Sequence, residues 1–301
     1  MKNSFEVIVM VLAPKRQIDI FINYYKKLGA SRVRIFYDGN FPADFDNTNE
    51  DVIECDIQFW NKIGQRRPTI VEDRQRVIYN YAYQFCKSAW LVVIDIDEFI
   101  FGKTSLGEAL RRVDKAVDTL RLSPVEAVYG QRDDITVEYG GRFFRKPYNK
   151  YLAAILPHIL YPGLGHLFIR GLLGHSRGKQ VVRTGIAGLQ LNIHDSFCPE
   201  RHLFELNLSA VAKDHRFYLA HFDAISFEQW REKWKRRFSA QDTNEMGLKR
   251  ERQLDIWTKA FESHADEQLF RRFYALNNIQ LTIARALGLV MTNPLSLSTK
   301  M

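Results

Sequence analysis

Two aspartates, Asp95 and Asp97, directly follow five apolar residues at positions 90–94. A continuous apolar run of this kind is typical of a strand that is buried on both faces. Side chains alternate along a strand, so the two carboxylates are expected on the same side, roughly 6–7 Å apart. Ligands of open α/β sheets bind at the carboxyl ends of strands, where paired acids attract a hard divalent cation. The sequence therefore predicts a metal site here; the alternative is a solvated strand end that starts a loop.

Strands and helices alternate along the chain before this motif. Strand patterns occur at residues 5–12, 31–37 and 52–59. Helical patterns occur at residues 18–28, where Gly29 is expected to end the helix in a left-handed conformation, and at residues 70–88. Such alternation with short connections predicts an α/β fold with a mixed, mainly parallel sheet flanked by helices. The aspartates then lie at the end of the fourth strand.

The rest of the chain is less regular. Helical spacing returns at residues 104–117 and 226–289, and short strand patterns occur at residues 127–137, 142–145 and 181–193. We expect an α/β domain at residues 1–222 and a helical extension packed on it at residues 223–301.

Two segments carry apolar residues with more than one interpretation. Residues 151–173 are apolar but broken by prolines and glycines, so they cannot form one regular helix. They are either a buried loop that crosses the core or a flap that faces a membrane or an acceptor. Trp230, Trp234 and Phe238 recur at helical spacing among basic residues. Core packing is the expected role of this stripe, and contact with an anionic membrane is the alternative.

Composition and charge limit the range of partners. Hydrophobic residues make up 46% of the chain and charged residues 26%, which is typical of a folded protein. The net charge of +8 favours polyanionic partners such as sugar nucleotides or anionic lipid surfaces. Nucleic acid is not expected, because neither an aromatic RNA-binding signature nor zinc-ligand spacing is present. Three scattered cysteines and the lack of a signal-peptide pattern predict a cytoplasmic protein, at most in contact with the inner face of the membrane.

The run Trp-Leu-Val-Val-Ile-Asp-Ile-Asp-Glu-Phe resembles the aspartate motif of family-2-like glycosyltransferases of the GT-A fold. The resemblance is closest to the bacterial subgroup related to glycosyltransferase family 92. Other landmarks follow in the family's order, at residues 21–29, 34–40, 74–83, 129–130, 179–194 and 220–222. Two positions depart from the family: Lys15-Arg16 replaces the usual Asn-Glu pair, and Phe222 stands where Tyr is common.

The resemblance implies a nucleotide-sugar donor, with a UDP-sugar favoured, and an inverting transfer to a hydroxyl of a glycan or lipid-linked acceptor in surface polysaccharide synthesis. It also implies Mn²⁺ or Mg²⁺ bound directly by Asp97, with Asp95 acting through water or on the ribose. His221 is the implied third ligand, or else an ordinary structural histidine. Asp38 would bind the nucleobase or ribose, a role compatible with an Asp-Gly turn. The residues expected to contact the donor phosphates are Lys15, Arg74, Lys179 and Arg183.

An inverting transfer also needs a general base within reach of the acceptor hydroxyl. Asp133 and Asp134 are the candidates, and Asp134 is preferred, because adjacent residues of a strand face opposite ways and only one can serve. Alternatively, both aspartates belong to a polar turn, and Glu98 or His194 is the base.

Two other functions fit an apolar run followed by Asp-x-Asp. A phosphatase of the haloacid dehalogenase type would use Asp95 as nucleophile and Asp97 as acid, but its motif usually follows the first strand. A non-catalytic scaffold with the same fold at a membrane is the third interpretation.

Overall fold

The computed structural model describes residues 4–174, 176–211, 216–238 and 248–297. The chain divides into two compact units, each formed by two separate segments. The first unit comprises Met1–Ser123 and Gly178–Leu219, and the second comprises Pro124–Arg177 and Ala220–Met301. This division differs from the predicted boundary at residue 222, because residues 124–177 belong with the C-terminal region.

Strands and helices are numbered separately in chain order. The strands are β1 (Phe5–Val11), β2 (Arg32–Tyr37), β3 (Val52–Glu54), β4 (Trp90–Val93), β5 (Glu98–Phe101), β6 (Thr119–Gly130), β7 (Phe143–Arg145), β8 (Lys179–Arg183), β9 (Gln190–Leu191), β10 (Ser196–Phe197), β11 (Glu205–Asn207), β12 (Tyr218–His221), β13 (Ala275–Leu276) and β14 (Val290–Thr292). The helices are α1 (Lys15–Lys27), α2 (Ile57–Lys62), α3 (Val71–Gln84), α4 (Leu106–Arg111), α5 (Leu152–Leu160), α6 (Leu208–Val211), α7 (Phe227–Phe238), α8 (Leu248–Glu262), α9 (Asp266–Tyr274) and α10 (Asn278–Ala286).

The first unit contains a mixed, mainly parallel sheet. Parallel strands run in the order β3-β2-β1-β4. β8 pairs antiparallel with β4, and the first part of β6 pairs antiparallel with β8 and so runs parallel to β4 again. The chain leaves β1 towards β2 on one side and returns to β4 on the other, so right-handed crossovers place α1 and α3 on opposite faces. The predicted α/β fold is confirmed, and the strand order is consistent with a Rossmann-like fold of GT-A type.

The core of this sheet explains why the strands form where they do. Every residue of β1 is buried, as expected for a central strand that is covered on both faces. On one face Ile78 and Tyr79 of α3 belong to the same hydrophobic cluster as Ile8 and Leu91. Gly29 ends the α1 region with a φ of 98°, the left-handed conformation predicted for a helix C-terminus.

Some predicted elements are shorter than their sequence patterns. Residues 52–59 have the pattern of one strand, but β3 ends at Glu54 and α2 follows. Asp56 accepts a hydrogen bond from the Phe59 N–H (2.8 Å), so this N-cap starts a helix and overrides the alternating pattern. The helix predicted at residues 104–117 is only α4, and the helical region from residue 226 is divided among α7, α8, α9 and α10.

The second unit is built around a buried ion pair and a cluster of aromatic residues. Arg145 pairs with Glu126, and its Nη1 donates to the Phe273 carbonyl oxygen (2.8 Å). This contact joins residues 124–177 to the C-terminal segment. Trp230 and Trp234 are buried, which confirms the core role of the predicted stripe. The side chain of Phe238 lies outside the described residues.

The apolar segment at residues 151–173 contains a short helix, α5, despite Pro157. Leu156 and Leu160 are buried on one side of α5, whereas Ile155 and Ile159 are exposed on the other. The segment therefore packs partly on the core and is partly exposed, and a role of its exposed side towards a membrane or an acceptor stays a prediction. Within the described part of the chain, no helix is long and apolar enough to cross a membrane.

Candidate active site

The carboxyl ends of β1, β2 and β4 meet at one edge of the sheet in the first unit. Asp38 follows β2, and its N–H donates to the Val11 carbonyl oxygen at the end of β1 (2.8 Å). Lys15 begins α1 just after β1, and Asp95 follows β4. Since β1 lies between β2 and β4, this edge is the switch point at which ligands of open α/β sheets bind.

Asp95 and Asp97 lie in a tight turn and not on an extended strand. β4 ends at Val93, and the Glu98 N–H donates to the Asp95 carbonyl oxygen (3.1 Å). The Glu98 carboxylate in turn accepts from the Asp95 N–H (2.9 Å). The two aspartates therefore do not follow one another on an extended strand as predicted, because Glu98 closes a turn there.

Two tyrosines of α1 hold the backbone that follows this turn. The Tyr25 hydroxyl donates to the Glu98 carbonyl oxygen and accepts from the Ile100 N–H, both at 3.0 Å. The Tyr24 hydroxyl donates to the Ile100 carbonyl oxygen (2.6 Å). Burial raises the pKa of Tyr25, so its hydroxyl stays protonated. The acidic turn is thus supported by fixed hydrogen bonds, as a binding site requires.

A buried lysine lies beside the turn. The Nζ of Lys179 is 2.9 Å from Oδ2 of Asp95, with the two side chains 0% and 33% exposed. Burial disfavours the charged ammonium, but the carboxylates of Asp95 and Glu98 outweigh it and raise the pKa of Lys179. Lys179 was predicted to contact phosphate; in the structure its ammonium binds the aspartate motif.

His194 shares this environment. Burial and the nearby Lys179 ammonium lower the pKa of His194 to about 4, and its Nδ1 lies 3.2 Å from the Gly178 carbonyl oxygen. The imidazole is therefore neutral at pH 7. A group with so low a pKa is a weak proton acceptor, which disfavours His194 as the general base.

Asp38 is held between two arginines. Buried Arg74 donates through Nε (3.0 Å) and Nη2 (2.8 Å) to Oδ2, and Arg67 donates through Nη2 to Oδ1 (2.9 Å). Arg74 also binds the carbonyl oxygens of Pro68 and Thr69. Its donors are thus engaged within the protein, so Arg74 positions Asp38. The Arg67 side chain is 41% exposed and can reach a ligand. Arg67 was not identified from the sequence, although the adjacent arginines at positions 66 and 67 indicate a site for an anionic group.

Lys15 lies at the rim of the same edge. It pairs with Asp19 (2.8 Å) and lines a cavity of about 230 Å³ together with Lys26 and residues 45–49. The rings of Phe41 and Phe45 are stacked nearby, with their centroids 4.6 Å apart.

The structure does not bring Arg183 to this edge. In the register of β4 and β8, Arg183 lies opposite Trp90, at the amino end of β4. Four residues of strand, roughly 13 Å, separate it from Lys179. Its guanidinium donates to the Val117 and Asp114 carbonyl oxygens, so its role is structural.

His221, Asp133 and Asp134 belong to the second unit. His221 ends β12, and the backbone of Gly174 lies against its ring: an added Cβ on Gly174 would be 3.0 Å from Cε1. Asp133 accepts from the Gly130 N–H (2.6 Å) and from Arg142 (3.0 Å).

Asp134 accepts from both the hydroxyl (2.7 Å) and the N–H (2.9 Å) of Thr136, and these hydrogen bonds lower the pKa of Asp134. Both aspartates therefore lie in a polar turn, which was predicted from the sequence as the alternative to a role as general base.

The donor set of the acidic turn fits a divalent cation. Within the described residues, no three or more His, Cys, Asp or Glu side chains are grouped to hold a metal ion. Mg²⁺ in phosphate sites is nevertheless usually held by one or two carboxylates, with waters and substrate phosphates as the other ligands. Asp95 and Asp97 are two such carboxylates. The Lys179 ammonium lies near three carboxyl groups, those of Asp95, Asp97 and Glu98, so it balances only part of their negative charge.

Comparison with known proteins gives little more. No protein-family model and no curated protein matches the chain. Among solved structures it is similar to residues 1–349 of TarS from S. aureus, with 16% identity and a TM-score of 0.28. The match covers 60% of this chain and 47% of that chain, so it spans about half of the TarS chain. Because this score is too low to establish a shared fold, the fold assignment above rests on the strand order alone.

Proposed function

We propose that this protein is a glycosyltransferase that moves a sugar from a nucleoside-diphosphate donor, with UDP favoured, to a hydroxyl of a glycan or lipid-linked acceptor in surface polysaccharide synthesis. The observation that carries the proposal is the acidic turn at Asp95 and Asp97, at the carboxyl end of β4 and beside the switch point of the sheet. The same edge holds Asp38 and the exposed Arg67. Carboxylates for a cation and arginine for an anion are the groups that a diphosphate donor requires.

Mg²⁺ or Mn²⁺ belongs to this proposal as a cofactor. When bound, the ion stabilises the negative charge that develops on the departing diphosphate. Asp97 is the proposed direct ligand, Asp95 acts through water or on the ribose, and His221 is the proposed third ligand. The resemblance of the motif to family-2-like glycosyltransferases supports these roles.

The residues around the acidic turn would orient the donor. Asp38, held rigid by Arg74, is suited to accept hydrogen bonds from a ribose or nucleobase. Stacked Phe41 and Phe45 offer aromatic surface near the end of β2. Arg67 and Lys15 are the proposed partners of the diphosphate, and Lys179 pairs with the Asp95 carboxylate and holds it in place.

Asp134 remains the proposed general base, with Asp133 as the alternative. Asp134 is exposed, so an acceptor hydroxyl can reach it, whereas Asp133 is engaged by Gly130 and Arg142. The lowered pKa of Asp134 makes it a weak base at rest. An acceptor that displaces the Thr136 hydroxyl would raise this pKa, because one stabilising hydrogen bond would be lost.

Nucleotide binding tests the proposal directly. A ligand that binds only the folded state raises the melting temperature, so UDP with Mn²⁺ should stabilise the wild-type chain more than UDP alone. The Asp97→Asn variant should lose the Mn²⁺-dependent part, and the Glu108→Gln variant, which changes an exposed acid of α4, should keep it. Stabilisation by UDP that Mn²⁺ leaves unchanged would contradict the metal site.

The products of reaction separate the three interpretations. Release of UDP from UDP-sugars that stops with EDTA and returns with Mn²⁺ supports the transferase. Release of phosphate from monoesters supports the phosphatase, and absence of both activities and of nucleotide binding supports the scaffold.

A further inference from the structure

The second unit exposes an apolar face that its own core does not cover. Tyr151, the N-cap residue of α5, and Ile155 and Ile159 within it are 75%, 64% and 58% exposed, and their i, i+4, i+8 spacing puts them on one side of the helix. Leu156 and Leu160 anchor the opposite side in the core. α5 is thus fixed in place with three large apolar side chains directed outwards.

A second helix extends this face. The Gln280 side chain of α10 donates to the Leu160 carbonyl oxygen (2.5 Å), which brings the start of α10 beside the end of α5. Ile279, the neighbour of Gln280, is 72% exposed. We call Tyr151, Ile155, Ile159 and Ile279 the α5–α10 face.

The sequence around this face lacks acidic residues. Neither residues 139–194, which contain α5, nor residues 268–301, which contain α10, include any Asp or Glu. Basic side chains lie beside both helices: the Lys150 ammonium is 4.9 Å from the centre of the Tyr151 ring, and Lys146 donates to the Gly288 carbonyl oxygen after α10. The face is therefore both apolar and positively charged.

A cavity of about 560 Å³ opens beside the face. It is bounded by Tyr161 and Pro162 after α5, by Arg271 and Arg272 of α9, and by side-chain amides that include Gln280. Arginine guanidinium groups bind phosphate in a bidentate manner, and the amides add neutral donors. Arg271 also pairs with the exposed Glu267 carboxylate (3.0 Å), an ion pair that solvent screens, and an anionic headgroup is the chemistry that the lining as a whole fits.

We infer that the α5–α10 face docks on a membrane that contains anionic phospholipids, with lipid phosphate groups bound by Arg271 and Arg272. This goes beyond the proposed sugar transfer and does not depend on it. α5 has nine residues, so it lies in the plane of the interface with its apolar side inserted. A second copy of the chain is a poorer occupant, because two basic faces would repel each other.

Vesicle co-sedimentation of the full chain tests the inference. Wild-type protein should bind vesicles of phosphatidylcholine with phosphatidylglycerol at low salt, bind phosphatidylcholine alone weakly, and dissociate as salt screens the charge. Absence of binding, or equal binding to both kinds of vesicle, overturns the inference.

Matched variants locate the contact. The double variant Ile155→Glu/Ile159→Glu should weaken vesicle binding about tenfold or more, because charged groups replace inserted apolar ones. Ile57→Glu, at an apolar residue of the first unit that is 66% exposed, should bind as the wild type does. If the double variant lowers the melting temperature, Ile279→Glu provides an independent test on α10 and should also weaken vesicle binding. Wild-type binding by all three variants overturns the assignment of the face.

The arginine cavity has its own test. Arg271→Gln/Arg272→Gln should reduce the preference for phosphatidylglycerol, whereas Arg111→Gln/Arg112→Gln, an adjacent pair at the end of α4, should leave it unchanged. If both double variants lose this preference equally, net charge alone determines the preference and the headgroup assignment is overturned. A lipid-free dimer that Ile155→Glu/Ile159→Glu dissociates would instead assign the face to a second copy.

Discussion

The Lys179 ammonium lies 2.9 Å from the Asp95 carboxylate, below the acidic turn at the carboxyl end of β4. The lysine is fully buried, while the aspartate is one-third exposed. The protein thus supplies a positive charge on the inner side of the turn and leaves Asp97 on the partly exposed side. The buried ammonium thus offsets part of the negative charge of the turn and fixes the Asp95 carboxylate in place.

Asp97→Asn should abolish turnover without unfolding the protein. Amide oxygens bind a divalent cation far more weakly than carboxylates do, so we expect a loss of about 100-fold or more in kcat. Asp97 is partly exposed, so the melting temperature should stay within the range of surface variants. Steady-state assays beside Glu108→Gln give the comparison. Full activity of Asp97→Asn would refute its proposed role.

Lys179→Met should destabilise the protein, because it removes the cation that balances Asp95 inside the unit. Loss of one partner of a buried pair costs about 3 kcal/mol, and the partial exposure of Asp95 reduces this to about 2 kcal/mol. Adding Asp95→Asn should recover part of the loss, which a double-mutant cycle by urea unfolding measures. Strictly additive effects would show that the two side chains do not interact.

Alanine substitutions of Arg74 and Arg67 should have different effects, on stability and on donor binding respectively, although both side chains bind Asp38. Arg74→Ala removes a buried guanidinium that binds Asp38 and two carbonyl oxygens, so unfolding free energy should fall by about 3 kcal/mol. Arg67→Ala changes an exposed side chain, so stability should hold while KM for the donor rises about tenfold. Urea unfolding and donor saturation curves separate the two. Equal destabilisation by the two substitutions would contradict a structural role for Arg74 and a donor-binding role for Arg67.

His194 should make stability depend on pH in a defined window. Its native pKa of about 4 lies below the ordinary value of 6.5, so the unfolded state binds the proton more readily. Protonation of His194 therefore leaves the free energy of unfolding unchanged above pH 6.5 and lowers it as the pH falls towards 4, by about 3 kcal/mol in total.

Unfolding free energies of wild type and His194→Gln, measured at neutral and mildly acidic pH, test this. The His194→Gln variant should lose this fall in stability at acidic pH. The His202→Gln variant, which changes an exposed histidine, should retain the wild-type slope. A parallel pH dependence in all three proteins would contradict the prediction.

Local patterns predicted the parallel half of the sheet well. Five apolar residues before Asp95 indicate β4, and Gly29 marks the end of α1, because both signals are contained in a few neighbouring residues. The acidic turn was misread as a strand, since the Glu98 hydrogen bonds that close it compete with strand geometry only in the folded state. Lys179 was assigned to phosphate, because no local signal shows that β8 would run antiparallel beside β4 and bury that ammonium under Asp95.

The predicted division at residue 222 did not anticipate that residues 124–177 join the C-terminal segment, for a related reason. Arg145 meets the Phe273 carbonyl across 128 positions, and a contact of that range leaves no trace in periodicity or composition. Helical spacing after residue 226 correctly indicated a helical region, but spacing alone does not show which earlier segment it packs against.

The discontinuous second unit also constrains the order of assembly during synthesis. Residues 124–177 leave the ribosome long before Phe273 is synthesised, so the Arg145 guanidinium and the aromatic side chains that pack with the C-terminal helices must wait for their partners. Until then the nascent chain exposes apolar surface that is prone to aggregation. A fragment that stops at residue 222 would be held permanently in that state, and we expect it to be insoluble.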